Sequence, residues 1–106
     1  MPANYYHILR RQMHRDYRKP LVIAAPKIGL KHPKAYSSLS DFEEGTHFKP
    51  IISRDYGTTI TKVIFCTGKV AFDIEARLEK NGATGYKVIR VEELAPFPVK
   101  QIREEL

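Results

Sequence analysis

The stretch Lys62–Val91 constrains the fold more than any other part of the sequence. It begins with an apolar run, Lys62–Cys66, and closes with a second one, Lys87–Val91. Between them, Val70–Lys80 has the apolar spacing of a helix, and Asn81-Gly82 follows as a helix stop signal. A strand, a helix and a strand within about thirty residues predict a βαβ unit with a right-handed crossover.

A third apolar run, Leu21–Ala25, lies between two prolines and is predicted to be another strand. Continuous rather than alternating apolar runs are typical of a parallel sheet that is buried on both faces. A last helix is predicted to begin at Pro96-Phe97-Pro98 and to be still running at Leu106, without a stop signal. We therefore predict an α/β fold, a partial parallel sheet with flanking helices that is Rossmann-like and truncated at its C-terminus.

Positive charge is concentrated at the N-terminal end. The first 36 residues hold eight Lys or Arg and one acidic residue, a net charge of +7, whereas the other seventy sum to −1. Tyr5, Leu9 and Met13 recur at i, i+4 and i+8 of a predicted amphipathic helix, so we expect them to pack inward. The arginines should face a negative partner. Nucleic acid is disfavoured, because the tyrosines fall on the apolar face.

Eight basic side chains are candidates for binding an effector or another anion. They are Arg10, Arg11, Arg15, Arg18, Lys19, Lys27, Lys31 and Lys69. Lys69 follows Thr67-Gly68 between a strand and a helix, where backbone N–H groups can hold an anion, although an ordinary turn is the alternative. Val63 and Val70 stand where a nucleotide-hydrolysing P-loop needs Gly and Ser or Thr, which excludes that motif.

Other chemistries are not favoured by the pattern. Cys66 lies within an apolar run and is expected to be a buried hydrophobe rather than a reactive thiol. The four histidines lack the spacing of zinc ligands and are expected at the surface or at interfaces: His7, His14, His32 and His47. No apolar run reaches the ~20 residues of a membrane span.

Residues 27–60 interrupt the pattern with prolines, glycines and, at most, short helical turns such as Leu39–Glu44. A connection of this length inside a compact domain is usually functional or crosses between domains. We interpret it as an interdomain crossing, which divides the chain into residues 1–60 and 61–106.

Short motifs form an ordered set along the whole chain. They are Pro2–Met13, Arg18–Ile23, Pro26-Lys27, His32-Pro33, Ser37-Ser38, Asp41-Phe42, Gly45-Thr46, Phe65–Lys69 and Arg90–Pro98. Together they resemble the C-terminal region of the thiamine-diphosphate-dependent first component of 2-oxoglutarate dehydrogenase, and the 2-oxoadipate dehydrogenase relative shares them. Ala25 and Ile28–Lys31 depart from the family's usual residues, which weakens an effector site around Lys27–His32.

The resemblance implies a transketolase C-terminal-domain-like fold. Residues 1–60 would be the end of the pyrimidine-binding domain and the interdomain crossing, and residues 61–106 the first βαβα part of the C-terminal domain. Thiamine diphosphate and magnesium would belong to the full-length enzyme. Because the chain lacks the family's Gly-Asp-Gly motif, we expect this segment to bind no cofactor and to be inactive alone.

The resemblance also implies partners: the remainder of the same chain, a second copy in a homodimer, and the lipoyl-bearing succinyltransferase component. The compartment would be the mitochondrial matrix in a eukaryote and the cytoplasm in a bacterium. The basic stretch would make subunit contacts or bind a phosphorylated effector such as acetyl-CoA or a nucleotide. The alternative is a free-standing anion-binding or protein-interaction module of α/β fold. A three-stranded sheet with an open edge should oligomerise or aggregate in isolation.

Overall fold

The computed structural model describes residues 1–25 and 27–106. The helices are α1 (Pro2–His14), α2 (Val70–Lys80) and α3 (Val99–Glu105), the strands are β1 (Ile51–Tyr56), β2 (Lys62–Cys66) and β3 (Tyr86–Val91), and two 3-10 turns span Lys27–Leu30 and Leu39–Phe42. These elements form two compact units, residues 1–49 and 50–106. Within the part of the chain described, every helix is too short or too polar to cross a membrane.

The second unit is built on a three-stranded sheet with the order β1-β3-β2. The predicted βαβ unit is confirmed, since β2 and β3 are parallel and α2 connects them. The predicted parallel sheet is confirmed only in part, because β1 pairs with β3 in the antiparallel direction and makes the sheet mixed. β1 lies within residues 27–60, which the sequence predicts to be irregular because Ser53, Arg54 and Asp55 interrupt the apolar pattern.

Helices cover both faces of this sheet. On one face, Arg54 of β1 forms ion pairs with Glu75 and Glu79 of α2. On the other, Lys87 of β3 lies 3.1 Å from the Glu105 carboxylate of α3. The central strand is therefore enclosed, and its Val88 and Ile89 are fully buried. This burial on both faces explains why β3 has a continuous apolar sequence.

The predicted strand Leu21–Ala25 is absent, because residues 21–25 adopt no regular structure. Leu21 is exposed, and 89% of Val22 is accessible to solvent. An apolar run becomes a strand only when a neighbouring strand satisfies its backbone hydrogen bonds. None of the described strands pairs with these residues.

The predicted N-terminal helix is confirmed as α1, but its predicted orientation is wrong. Tyr5, Leu9 and Met13, expected in the core, are 55%, 43% and 70% exposed. The buried positions of the helix are instead Ala3, Asn4 and His7. Polar side chains can occupy a buried helix face when each finds a hydrogen-bond partner, and the loop before β1 provides these partners.

Candidate anion-binding groove

Four basic side chains occupy one face of α1. His7, Arg10, Arg11 and His14 stand at i, i+3, i+4 and i+7, the spacing that aligns side chains along a helix; we call them the basic stripe. The stripe and the segment Thr46–Phe48 line a groove with a volume of about 370 Å³, the basic groove. All of these residues belong to the first compact unit.

Hydrogen bonds near the start of α1 turn this face toward the loop. The Asn4 amide Nδ2 donates to the carbonyl oxygen of Lys49 at 2.9 Å, and the Lys49 backbone N–H donates to Asn4 Oδ1 at 2.8 Å. The backbone N–H of Ala3, one of the donors left open in the first turn of a helix, donates to Ser37 Oγ at 3.1 Å. These three bonds fix the rotation of the helix about its axis.

His7 forms the floor of the groove and is almost fully buried, so the expectation of a surface or interface histidine was wrong for His7, whereas His14 and His47 are exposed. Its Nε2 lies 2.7 Å from the Asp41 carbonyl oxygen and 3.2 Å from Thr46 Oγ1. Thr46 Oγ1 donates its own hydrogen to the carbonyl of Glu43. Both neighbours of Nε2 are therefore acceptors, which assigns a proton to Nε2. His7 positions the loop rather than facing a ligand.

The two arginines of the stripe are held in place by neutral groups. Arg10 Nη1 donates to the Thr46 carbonyl oxygen at 3.1 Å, and the Arg11 guanidinium lies 4.4 Å from the centre of the Phe48 ring. A guanidinium has five N–H donors, so one bond to a carbonyl leaves others available. Both contacts orient the guanidinium groups.

The other N-terminal candidates lie outside the basic groove. Arg15 and Lys19 gather around the Tyr17 ring, with Arg15 Nη1 donating to the Tyr17 hydroxyl and Lys19 Nζ at 5.6 Å from the ring centre. Arg18 donates to the Arg15 carbonyl oxygen at 2.9 Å. Lys27 and Lys31, within and just after the first 3-10 turn, are exposed and do not line the groove.

Lys69 belongs to the second unit, at the start of α2. Its Nζ lies 3.9 Å from a carboxylate oxygen of Asp73. The buried Arg90 of β3 lies beside Phe72 of α2. Its Nε is 2.5 Å from Glu92 Oε1, a close ion pair without hydrogen-bond geometry. A carboxylate therefore accompanies each cation near this turn, an arrangement poorly suited to an anion.

The remaining chemical candidates are the Cys66 thiol and the side chains of metal-ligating type. Burial raises the pKa of the Cys66 thiol above its ordinary value, against an opposing effect of the Arg90 charge. This disfavours the thiolate, which is the nucleophilic form. Among residues 1–25 and 27–106, the His, Cys, Asp and Glu side chains form no cluster of three or more that could hold a metal ion.

Sequence reasoning named Arg10 and Arg11 but missed the histidines that line the same groove. The i, i+3, i+4, i+7 spacing of the basic stripe was visible in the sequence and would have placed His14 beside them. The contribution of Thr46–Phe48 was not visible, because it depends on contacts more than thirty residues apart along the chain.

The comparisons with known proteins all indicate the same family. Residues 36–106 match the family described as 2-oxoglutarate dehydrogenase C-terminal. A probable 2-oxoadipate dehydrogenase complex component E1 homolog of Dictyostelium discoideum is 45% identical over 109 residues, and the human 2-oxoadipate dehydrogenase complex component E1 is 43% identical over 110. The 2-oxoglutarate dehydrogenase E1 component of Brucella anthropi is 40% identical over 117 residues. Each alignment covers 99% of this chain but 12% of the relative's length.

Proposed function

Because this chain belongs to the 2-oxoglutarate dehydrogenase C-terminal family, we propose that it is a part of the decarboxylating component of a 2-oxo acid dehydrogenase complex. The observation that carries this proposal is the family match over residues 36–106, together with 40–45% identity to E1 components across nearly the whole chain. The full protein would oxidatively decarboxylate a 2-oxo dicarboxylic acid, the substrate class common to the names of these relatives.

The chemistry of thiamine diphosphate and magnesium is assigned to other parts of that enzyme. A diphosphate-bound magnesium ion prefers clustered oxygen ligands, and the described residues form no suitable acidic cluster. The sequence has no Gly-Asp-Gly motif either. These residues do not fit the cofactor, so no catalytic step is assigned to them. Their role is structural, regulatory or in subunit contacts.

The proposed domain roles follow the family resemblance. Residues 1–60 close the pyrimidine-binding domain and cross to the next one, and residues 61–106 open the transketolase-like C-terminal domain. The exposed apolar side chains of α1 support a contact role, since Tyr5, Leu9 and Met13 form a continuous stripe on the face opposite His7. The remainder of the same chain, or a second copy in a homodimer, would cover this stripe.

The partner of the full enzyme would be the lipoyl-bearing succinyltransferase component, which receives the acyl group. The compartment would be the mitochondrial matrix in a eukaryote and the cytoplasm in a bacterium. A phosphorylated effector would contact the basic candidates of the first unit, for which the net charge of that end of the chain is the supporting observation.

An activity assay tests the proposal. Thiamine-diphosphate-dependent decarboxylation of 2-oxoglutarate and of 2-oxoadipate is measured for the purified 106-residue chain and for the protein expressed from the open reading frame that contains it. We expect the chain alone to be inactive and a longer protein to turn over at least one of the two acids. Turnover by the chain alone at a rate comparable to a full family enzyme would refute the non-catalytic role. An inactive, naturally terminated 106-residue product would favour a free-standing binding module.

A further inference from the structure

Helix α3 is attached to the sheet of the second unit more weakly than α2. The structure describes all seven residues of α3, and none of their side chains is buried, whereas Ala71 and Leu78 anchor α2 in the core. Ile102 and Glu105 of α3 are half-buried. Isolated helices shorter than about 12–15 residues are marginal in water. A helix as short as α3 therefore persists only through its contacts with the rest of the unit.

A polar contact attaches the C-terminal end of α3 to two strands. Lys87 Nζ of β3 donates to the Glu105 carbonyl oxygen at 3.2 Å and to Glu105 Oε2 at 3.1 Å; we call this contact the tether. The same ammonium group lies 3.4 Å from Asp55 Oδ1 of β1, and Ser53 of β1 also hydrogen-bonds the Glu105 side chain. A lysine that reaches the last carbonyl groups of a helix also stabilises that end through the helix dipole.

This helix covers only part of an apolar surface on its face of the sheet. Side chains two residues apart on a strand point to the same face, so Ile89 shares the face of Lys87, and Phe65 lies beside Ile89 in the parallel ladder. Ile89 is fully buried, but Phe65 is 49% exposed and Val63 is 39% exposed. Separation of α3 from the sheet would uncover Ile89 and join it to Phe65 and Val63 as one apolar surface.

We propose that α3 is a detachable cover for this surface, held closed by the tether, which opens while the sheet and α2 remain folded. Lys87 is the positioning residue, because it links the end of α3 to β3 and β1. Elements with few buried apolar contacts are the ones that open locally in folded proteins. The inference concerns the second unit alone, and it is independent of the decarboxylase role because it requires no activity of a longer enzyme.

The test is native-state hydrogen exchange of the 106-residue chain, followed by NMR at increasing denaturant concentrations below the unfolding transition. The amide of Ile102, which donates to the Pro98 carbonyl oxygen at 3.0 Å, reports on α3, and the amides of Val88 and Ile89 report on β3. We expect Ile102 to exchange at least about tenfold faster than the β3 amides. Its exchange should also depend less on denaturant, because opening α3 exposes less surface than unfolding the unit.

A matched pair of lysine variants tests the tether. Lys87→Met removes the charge and the donor but keeps an apolar side chain, and it should accelerate exchange at Ile102 by about tenfold. Lys100→Met is the control, because Lys100 is exposed on the same helix and its Glu104 partner is at 4.0 Å. The control should change exchange by less than about threefold. Equal acceleration by the two variants would overturn the role of Lys87.

A third variant separates the opening of α3 from unfolding of the whole unit. Ile64 of β2 pairs with Val88 on the face that α2 covers. Ile64→Val should accelerate exchange at Val88 and Ile89 by about threefold, because it weakens the core. Exchange at Ile102 should not change, because residue 64 keeps its contacts when only α3 opens. Acceleration at Ile102 equal to that at Val88 would overturn the proposal.

Exchange in the wild-type chain decides the matter even where a variant fails to fold. Faster exchange at Ile102 with weak denaturant dependence supports the detachable cover. Exchange of Ile102 in step with Val88 and Ile89 at every denaturant concentration would show that α3 opens only with the whole unit, which contradicts the proposal. An Ile102 amide without any protection would show that α3 is not docked and would also contradict it.

Discussion

The side chain of Asn4 and the backbone of Lys49 form a reciprocal pair of hydrogen bonds, 2.9 Å and 2.8 Å long. The pair joins the first turn of α1 to the end of the loop that lines the opposite wall of the basic groove. Asn4 is 6% exposed, so water cannot readily replace either bond. The position of the groove therefore depends on a polar residue in the core of the first unit.

Replacing Asn4 with Ala should destabilise the first unit by about 1–3 kcal/mol, because it leaves the Lys49 N–H and carbonyl groups without partners. The measurement is chemical denaturation followed by circular dichroism. Gln101→Ala is the control, since Gln101 is exposed on α3 and should change stability by less than about 0.5 kcal/mol. Equal effects of the two substitutions would argue against the buried pair.

Gly57, in the turn after β1, should not tolerate a side chain. Its φ of +106° is rare for other residues, and an added Cβ would lie 3.1 Å from the Gly85 backbone nitrogen. We expect Gly57→Ala to lower the free energy of unfolding by about 1–3 kcal/mol. Gly29→Ala is the control, because its Cβ would meet no atom within 4 Å and its φ is ordinary. If the Gly57→Ala variant were as stable as the control, the positive φ and the close approach described for Gly57 would be wrong.

Stability of the second unit should depend on pH through Glu105. Hydrogen bonds from Ser53 and Lys87 lower the pKa of Glu105, and the bond to Glu105 raises the pKa of Lys87. Glu105 stabilises the fold at pH values above the ordinary pKa of a glutamate. This stabilisation is lost as the pH falls through the lowered pKa of Glu105. Lys87 stabilises the fold at pH values below the ordinary pKa of a lysine. This stabilisation is lost as the pH rises through the raised pKa of Lys87.

Glu105→Gln should therefore lower stability near neutral pH and reduce the loss of stability on acidification. The check is thermal unfolding of both proteins from mildly acidic to neutral pH. Glu104→Gln serves as the comparison, because Glu104 is exposed on the same helix and its Lys100 partner is at 4.0 Å. If Glu104→Gln and Glu105→Gln gave the same pH profile, the assignment to Glu105 would be wrong.

Cys66 should react slowly in the folded protein. Burial raises the pKa of its thiol, so the thiolate is scarcer at pH 8 than for a free cysteine. Alkylation by iodoacetamide, measured with and without denaturant, should be markedly faster in the unfolded chain. Equal rates would show that Cys66 is accessible and ionised in the native state.

Local patterns predicted the regular elements of the second unit well. The helix Val70–Lys80 and its stop at Asn81-Gly82 were read from spacing and turn chemistry, and the structure places α2 at the same residues. β1 was missed, because its Ser53-Arg54-Asp55 sequence resembles a loop. Its formation depends on pairing with β3, thirty or more residues away along the chain, and no local pattern contains this information.

The orientation of α1 could not be predicted from its hydrophobic pattern. Tyr5, Leu9 and Met13 form the more apolar face of the helix. The rule that this face packs inward predicts that they lie in the core. The buried face instead contains Asn4 and His7, whose hydrogen bonds to Lys49 and Asp41 offset the cost of burying them. This compensation depends on tertiary contacts that the spacing of residues does not show.

The orientation of α1 places the basic stripe against the segment Thr46–Phe48. The most direct test is a nuclear Overhauser spectrum of the 106-residue chain, with the His7 ring and the Thr46 methyl group assigned. Since His7 Nε2 lies 3.2 Å from Thr46 Oγ1, we predict strong cross-peaks between this ring and this methyl group, and none from Met13 to Thr46. Cross-peaks from Leu9 or Met13 to Thr46, without those of His7, would contradict the account.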